Sequence, residues 1–181
     1  MKLLTKFGLH VLLWALMFFY FVFAPDLFTL LFAKNGKPLQ VVTTLPVESD
    51  RIHLVVEDLV PHVKDGENVY ELYGWALIIP EEGLLPASFT REVILISNER
   101  NYHFSARSGY RSPDLPSELA GANIDFNTLG FSALIAEDAI KPGEYRVGIV
   151  FRDPATGSAF YWDKPASYLI KTPNTLSWKR K

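Results

Sequence analysis

Four histidines, His10, His53, His62 and His103, are the side chains of this chain best suited to proton transfer or metal binding near neutral pH. None stands in HExxH or paired spacing, which would bring two imidazoles onto one zinc ion. Serines occur without a G-x-S-x-G elbow, and glycines without a G-x-G-x-x-G run or a P-loop. The chain has no cysteine, so disulfides, thiolate metal sites, cysteine nucleophiles and lipid-modified cysteine are all excluded. Glu81-Glu82 and Glu137-Asp138 fall in turn-like sequence, and a working acid–base pair would need carboxylates from different strands. Glu57-Asp58 and Asp65-Gly66-Glu67 are acidic but lack the alternating oxygen ligands of a calcium loop. The expectation is therefore no catalytic residue, no metal, no cofactor and no enzymatic activity. His53 and His103 are expected at outward strand positions, as ordinary surface residues.

A second set combines aromatic and arginine side chains. Tyr73-Gly74-Trp75 lies in strand-like sequence, Arg107-Ser108-Gly109-Tyr110-Arg111 leads into Ser112-Pro113-Asp114, and Tyr161-Trp162-Asp163 lies near the chain's end. Aromatic faces stack on the C–H faces of sugars, and Arg and Asp give hydroxyls charge-assisted hydrogen bonds. Trp75, Arg107, Tyr110, Arg111, Asp114 and Trp162 are thus the candidate ligand-binding residues. A purely structural account is equally physical. Trp75 can plug the space between two sheets, and Arg111 can pair with Asp114 to fix a loop. For Trp75 the core role is the expected one.

The elements that hold these residues begin with an apolar N-terminus. Phe7 to Ala24 runs eighteen residues without a formal charge, and apolar character resumes from Leu27 to Ala33. At about 1.5 Å per residue the first run makes roughly 27 Å of helix, close to the hydrocarbon thickness of a bilayer. It has no polar stripe, so residues 1–33 read as one transmembrane α-helical anchor. A cleaved signal peptide is the alternative. The run exceeds the usual apolar length of about 7–15 residues, and Pro25 fits a scissile position badly. Lys2, Lys6 and the amino terminus precede the helix, which places the N-terminus in the cytoplasm and the remainder outside it.

Residues 34–50 hold glycine, two prolines and short polar side chains, and read as a linker. From 51 to 173 the apolar period becomes two. Ile52–Glu57, Glu71–Ile78, Glu92–Leu95, Tyr102–Arg107, Phe131–Ile135, Tyr145–Arg152, Ala159–Tyr161 and Ser167–Lys171 read as strands, within a total of seven to nine. Asn98–Asn101, Lys141-Pro142-Gly143 and Asp153–Gly157 carry turn chemistry, and only Ser117–Ala120 hints at a helical turn. The fold expected is an all-β, Ig-like antiparallel sandwich preceded by the helix. Between residues 38 and 173 there are 11 basic and 19 acidic residues, a net −8, while residues 174–181 form a basic tail. The whole chain is at −2, which argues against nucleic acid as a partner.

LYGWALI, REVILISNERNYHF, RSPDL, LGFSALI and KPGEYRVGIVF, within about Tyr70 to Phe151, together resemble a β-sandwich module of uncharacterised bacterial membrane proteins. Those proteins repeat a G-W-A strand, an Arg–Asp loop, a G-F strand and a G-x-Y-x-x-G strand. The resemblance implies a bacterial envelope protein with an accessory or binding sandwich. The function expected is a single-pass, membrane-anchored extracytoplasmic interaction module or accessory subunit of an envelope complex. Its partners are then the lipid bilayer and a membrane or envelope protein. A carbohydrate-binding module facing cell-surface glycan is the alternative, and an envelope enzyme the least favoured.

Overall fold

The computed structural model describes Trp14 and residues 35–78, 89–110 and 129–180. The expected anchor helix, the expected helical turn at Ser117–Ala120, and both Arg111 and Asp114 lie outside the described residues. Among those described, no helix is long and apolar enough to cross a membrane.

The described chain is all-β. Eleven strands run in order: β1 (Gln40–Val42), β2 (Val47–Glu48), β3 (Ile52–Lys64), β4 (Glu67–Ile78), β5 (Thr90–Ile96), β6 (Asn101–Ser105), β7 (Arg107–Tyr110), β8 (Gly130–Ala136), β9 (Gly143–Arg152), β10 (Ala159–Lys171) and β11 (Leu176–Arg180). They form two sheets, a seven-stranded one ordered β1-β6-β5-β9-β10-β11 with β2 also on β10, and a four-stranded one ordered β3-β4-β8-β7. Every pairing is antiparallel except β2 with β10, so the larger sheet is mixed where a purely antiparallel one was expected. The alternation of apolar and polar residues sends Leu54, Val56, Leu72, Ala76 and Phe131 inward from the smaller sheet. Val93, Leu95, Phe104, Val147 and Ile149 meet them from the larger. Burying each of the larger of these side chains contributes roughly 1.5–3 kcal/mol, which makes this shared layer the main drive to fold.

Turn chemistry behaves as its residues dictate. β5 and β6 are joined by four residues, with Ile96 opposite Asn101 and Ser97 Oγ donating to the Arg100 carbonyl at 2.7 Å. Asp153 closes the β9–β10 connection by accepting from the Ala155 amide and the Thr156 hydroxyl, each at 2.8 Å. Asp65 and Gly66, weighed above as part of a calcium loop, are the two central residues of the β3–β4 hairpin, with φ of 52° and 83°. Positive φ at both positions is the twist-matched two-residue turn, and Asp-Gly is a favoured pair for it. The Asp58 carboxylate accepts from the Leu59 amide at 2.8 Å beside a bulge between Val56 and Asp58. Both acidic groups thus have backbone duties.

Two boundaries are corrected. Residues 34–50 are not a free linker. The Gly36 carbonyl accepts from the Ala136 amide at 2.8 Å, Lys37 pairs with Asp138 at 2.7 Å, and the Leu39 amide donates to the His103 carbonyl at 2.7 Å. Strands β1 and β2 follow, too short for a period-two signal to show. The basic residues near the C-terminus are not a separate tail either. β11 pairs along β10, Leu176 is buried in the main core, and Trp178 packs against it. Their alternation with Ser177 and Lys179 is a strand pattern masked by the basic ending.

Candidate functional site

Register brings part of the aromatic and arginine set together. Trp75 on β4 and Tyr110 on β7 both pair with Gly130 of β8, while Tyr73 and Arg107 both pair with Ser132. Trp75, Tyr73 and Arg107 therefore share the outer face of the four-stranded sheet, away from the other sheet. Tyr73 donates to Glu71 Oε2 at 2.6 Å, and His62 Nε2 approaches the same oxygen at 3.4 Å. Trp162 does not join them. It sits on β10 of the larger sheet, opposite Ile149, and packs against the main core.

Trp75 is not the inter-sheet plug expected. Leu72, Gly74, Ala76 and Ile78 take the inward positions of β4, so Trp75 and Leu77 must point the other way. Trp75 is nevertheless only 2% exposed, in a separate cluster with Leu77, Leu129 and partly buried Val55. A ring this enclosed offers no face for a sugar to stack on. Both faces of β4 are covered, as its two-sided apolar run implies.

The outer face of the larger sheet holds a different arrangement. Ile94, Ile96, Val150 and Tyr161 form a second apolar cluster there, and Leu45, between β1 and β2, packs on it. His103 lies on the same face, in register with Gln40 on one side and Ile94 on the other. It is 1% exposed, which corrects the expectation of a surface residue. Alternation gives the outward direction of His103 but not the cover over it.

His103 belongs to a three-residue hydrogen-bonded chain. Its Nδ1 lies 2.7 Å from Glu92 Oε2, and Arg152 Nε donates to Glu92 Oε1 at 3.3 Å. A carboxylate beside Nδ1 requires the proton on Nδ1, which leaves Nε2 as the acceptor of the neutral ring. His103 Nε2 is buried and has no partner, as is Asn101 Oδ1 two residues earlier on the same strand face. A cleft of about 430 Å³ adjoins this group, walled by Gln40, Val42, Leu45, Pro46, His103 and Arg152.

Burial alone would raise the Glu92 pKa, but the hydrogen bond from His103 and the charge of Arg152 outweigh it and hold the group below its ordinary value. A depressed carboxylate contributes stability that is present above its unfolded pKa and lost as pH falls through its folded one. Glu92→Gln should cost about 1–3 kcal/mol at pH 7. The gap to the parent protein should close as acid takes the medium below the ordinary Glu value of 4.5. Urea unfolding of both proteins at pH 7, 5, 4 and 3 measures it, and a gap constant across that range would refute the role given to Glu92.

Sequence reasoning missed Gln40, Glu92, His103 and Arg152 as a group. Alternation already placed Glu92, His103 and Arg152 outward on three strands, but nothing local shows that β5 lies between β6 and β9. Among the described residues, no three His, Asp or Glu side chains converge as metal ligands would. Comparison of the chain with protein-family models, with curated proteins and with solved structures finds no match.

Proposed function

We propose that the chain is a membrane-anchored module that holds an Ig-like β-sandwich on the extracytoplasmic side of a bacterial envelope. It works there by binding, as an accessory subunit of an envelope complex. The observation that carries this reading is the clamp that follows the apolar N-terminus. Apolar sequence runs to Ala33, and from Gly36 the chain is already fastened to the end of β8, to Asp138 and to β6. A flexible tether would let the domain range over a distance that grows with its length. On this reading only a few residues separate the anchor from the first contacts of the sandwich. That suits docking on a neighbour in the same membrane.

Reporter fusions after Lys181 should be active only with a reporter that works outside the cytoplasm, and the mature protein should begin at its own N-terminus. Cytoplasmic reporter activity would overturn the orientation. A mature N-terminus at Pro25 would overturn the anchor. Gentle solubilisation of the native membrane should then bring a membrane or envelope protein through purification with the chain.

A carbohydrate-binding module is the second reading. What favours it is no longer the enclosed Trp75 but the surface cleft of about 430 Å³ walled by Gln40, Val42, Leu45, Pro46 and Arg152.

A further inference from the structure

We infer that strand β3 carries a built-in guard against strand addition, which keeps this edge of the four-stranded sheet from pairing with a second copy of the chain.

The edges of the two sheets differ in length. Among the described strands, β1, β2 and β11 border the larger sheet with three, two and five residues. The smaller sheet is bordered by β7, with four residues, and by β3, with thirteen. A short edge offers an incoming strand little to pair with. β3 is another matter, since thirteen residues make roughly 40 Å of edge. A second β3 is a ready partner for it, because two identical edges brought together antiparallel are self-complementary. Val63, 76% exposed near the end of the strand, adds apolar surface to the hazard.

The β3–β4 turn sets which amides of β3 face outward. Asp65 and Gly66 make a two-residue turn, so Lys64 and Glu67 form a hydrogen-bonded pair, and the amides of His62 and Val60 also point to β4. Those of Val63, Pro61 and Leu59 point the other way. Pro61 has no N–H to offer. The Leu59 amide donates instead to Asp58 Oδ1, at 2.8 Å. Val63 is left as the outward donor of this stretch. Two copies pairing about Pro61 would set Leu59 of one opposite Val63 of the other, with most of the ladder bonds missing. Earlier in the strand, Glu57 is the extra residue of the bulge between Val56 and Asp58, which bends the edge. At the start, the Ile52 amide donates to the Ser49 carbonyl at 3.3 Å. Proline, charge and bulges are the means by which sheet edges are kept from association. Asp58 as a cap for one stray amide would leave Pro61 without a role, whereas the two together close adjacent outward positions.

The test uses the full chain in detergent. Sedimentation over a range of concentrations reads its association, and hydrogen exchange by NMR reads the Leu59 and Val63 amides. Exchange at Val63 in the parent should not change with concentration. Asp58→Ala/Pro61→Val frees one outward donor and supplies another. It should associate at least about tenfold more tightly than the parent, with the Val63 amide protected in the associated form. Association through the N-terminal segment would be equal in both proteins and would leave Val63 unprotected. Asp58→Asn/Pro61→Val removes the charge but keeps an acceptor for the Leu59 amide, so it should gain less. If the alanine variant does not fold, Pro61→Val alone decides, since Pro61 is exposed, and it should still associate more than the parent. Protection of Val63 on association of the parent would overturn the guard. So would variants that associate no more than the parent. Equal gains for the Asp58→Ala and Asp58→Asn forms would overturn the part given to the Leu59 cap.

Discussion

Replacing Trp75 by alanine should cost the folded domain about 3–5 kcal/mol, the usual penalty for emptying a buried aromatic site. Whole-domain stability is only about 5–15 kcal/mol, so the variant should melt far earlier or fail to fold. The loss has a particular origin. Trp75 is 2% exposed and supports Leu77 and Leu129 on the outer face of the four-stranded sheet, not the layer between the sheets. Trp75→Phe should therefore restore most of the stability. The indole nitrogen has no partner to lose, and an apolar ring still fills most of the space. Urea unfolding of the full chain, followed by the circular dichroism of its strands, reads both variants. An unchanged midpoint for Trp75→Ala would mean that the ring packs against nothing that matters to the fold, and would return Trp75 to the ligand-binding set.

The strands legible in the sequence are those with one face in the main core and a clear turn at each end. β8 and β9 carry Phe131, Ala133 and Ile135, and Tyr145, Val147 and Ile149, inward at every second position. β3 was legible only to Glu57. Beyond that the bulge between Val56 and Asp58 shifts the register, so Leu59 and Pro61 follow a different parity from Leu54 and Val56. Pro61 would argue against a central strand, but β3 is at a sheet edge, where a missing amide donor costs no ladder bond. β1 and β2 have three and two residues, too few for any period, and their pairing is with strands that follow much later in the chain.

The candidate site shows the same division. Side-chain direction was readable and burial was not. His103 sits between Tyr102 and Phe104, whose rings enter the core, so its outward direction follows from alternation. Whether an outward residue meets water depends on what crosses above it, here in part the β1–β2 segment bearing Leu45. That crossing is a matter of tertiary path, and no property of residues 101–105 records it. Trp75 and Trp162 look alike in sequence, each beside a tyrosine or glycine in a strand. Yet one lies on the outer face of the smaller sheet and the other on the core face of the larger. Only the strand order separates them.

Gly74→Ala should be among the most damaging single-atom additions to the domain, and the sign of its effect is the test. From propensity alone alanine should help, since glycine inside a strand is worth roughly 0.5–1 kcal/mol less than alanine. Space says the opposite. A β-carbon on Gly74 would stand 2.3 Å from the Val55 carbonyl oxygen and 2.9 Å from Cζ of Phe131. Phe131, itself 0% exposed, lies directly across the ladder from Gly74 and occupies the place a side chain would take. A clash with a mobile side-chain tip would relax by rotation. The Val55 oxygen belongs to the backbone of the adjoining strand, next to the bulge, and can retreat only by breaking the β3–β4 pairing. Overpacking commonly costs about 1–3 kcal/mol, and a backbone obstacle puts this case at or beyond the upper end. The net result should be a loss of about 2–3 kcal/mol or more after the propensity gain is subtracted. The double variant Gly74→Ala/Phe131→Leu relieves the ring contact alone, so it should recover only part of the loss if the carbonyl is the main obstacle. A Gly74→Ala protein as stable as the parent would show that β3 and β4 do not approach as closely as this register requires.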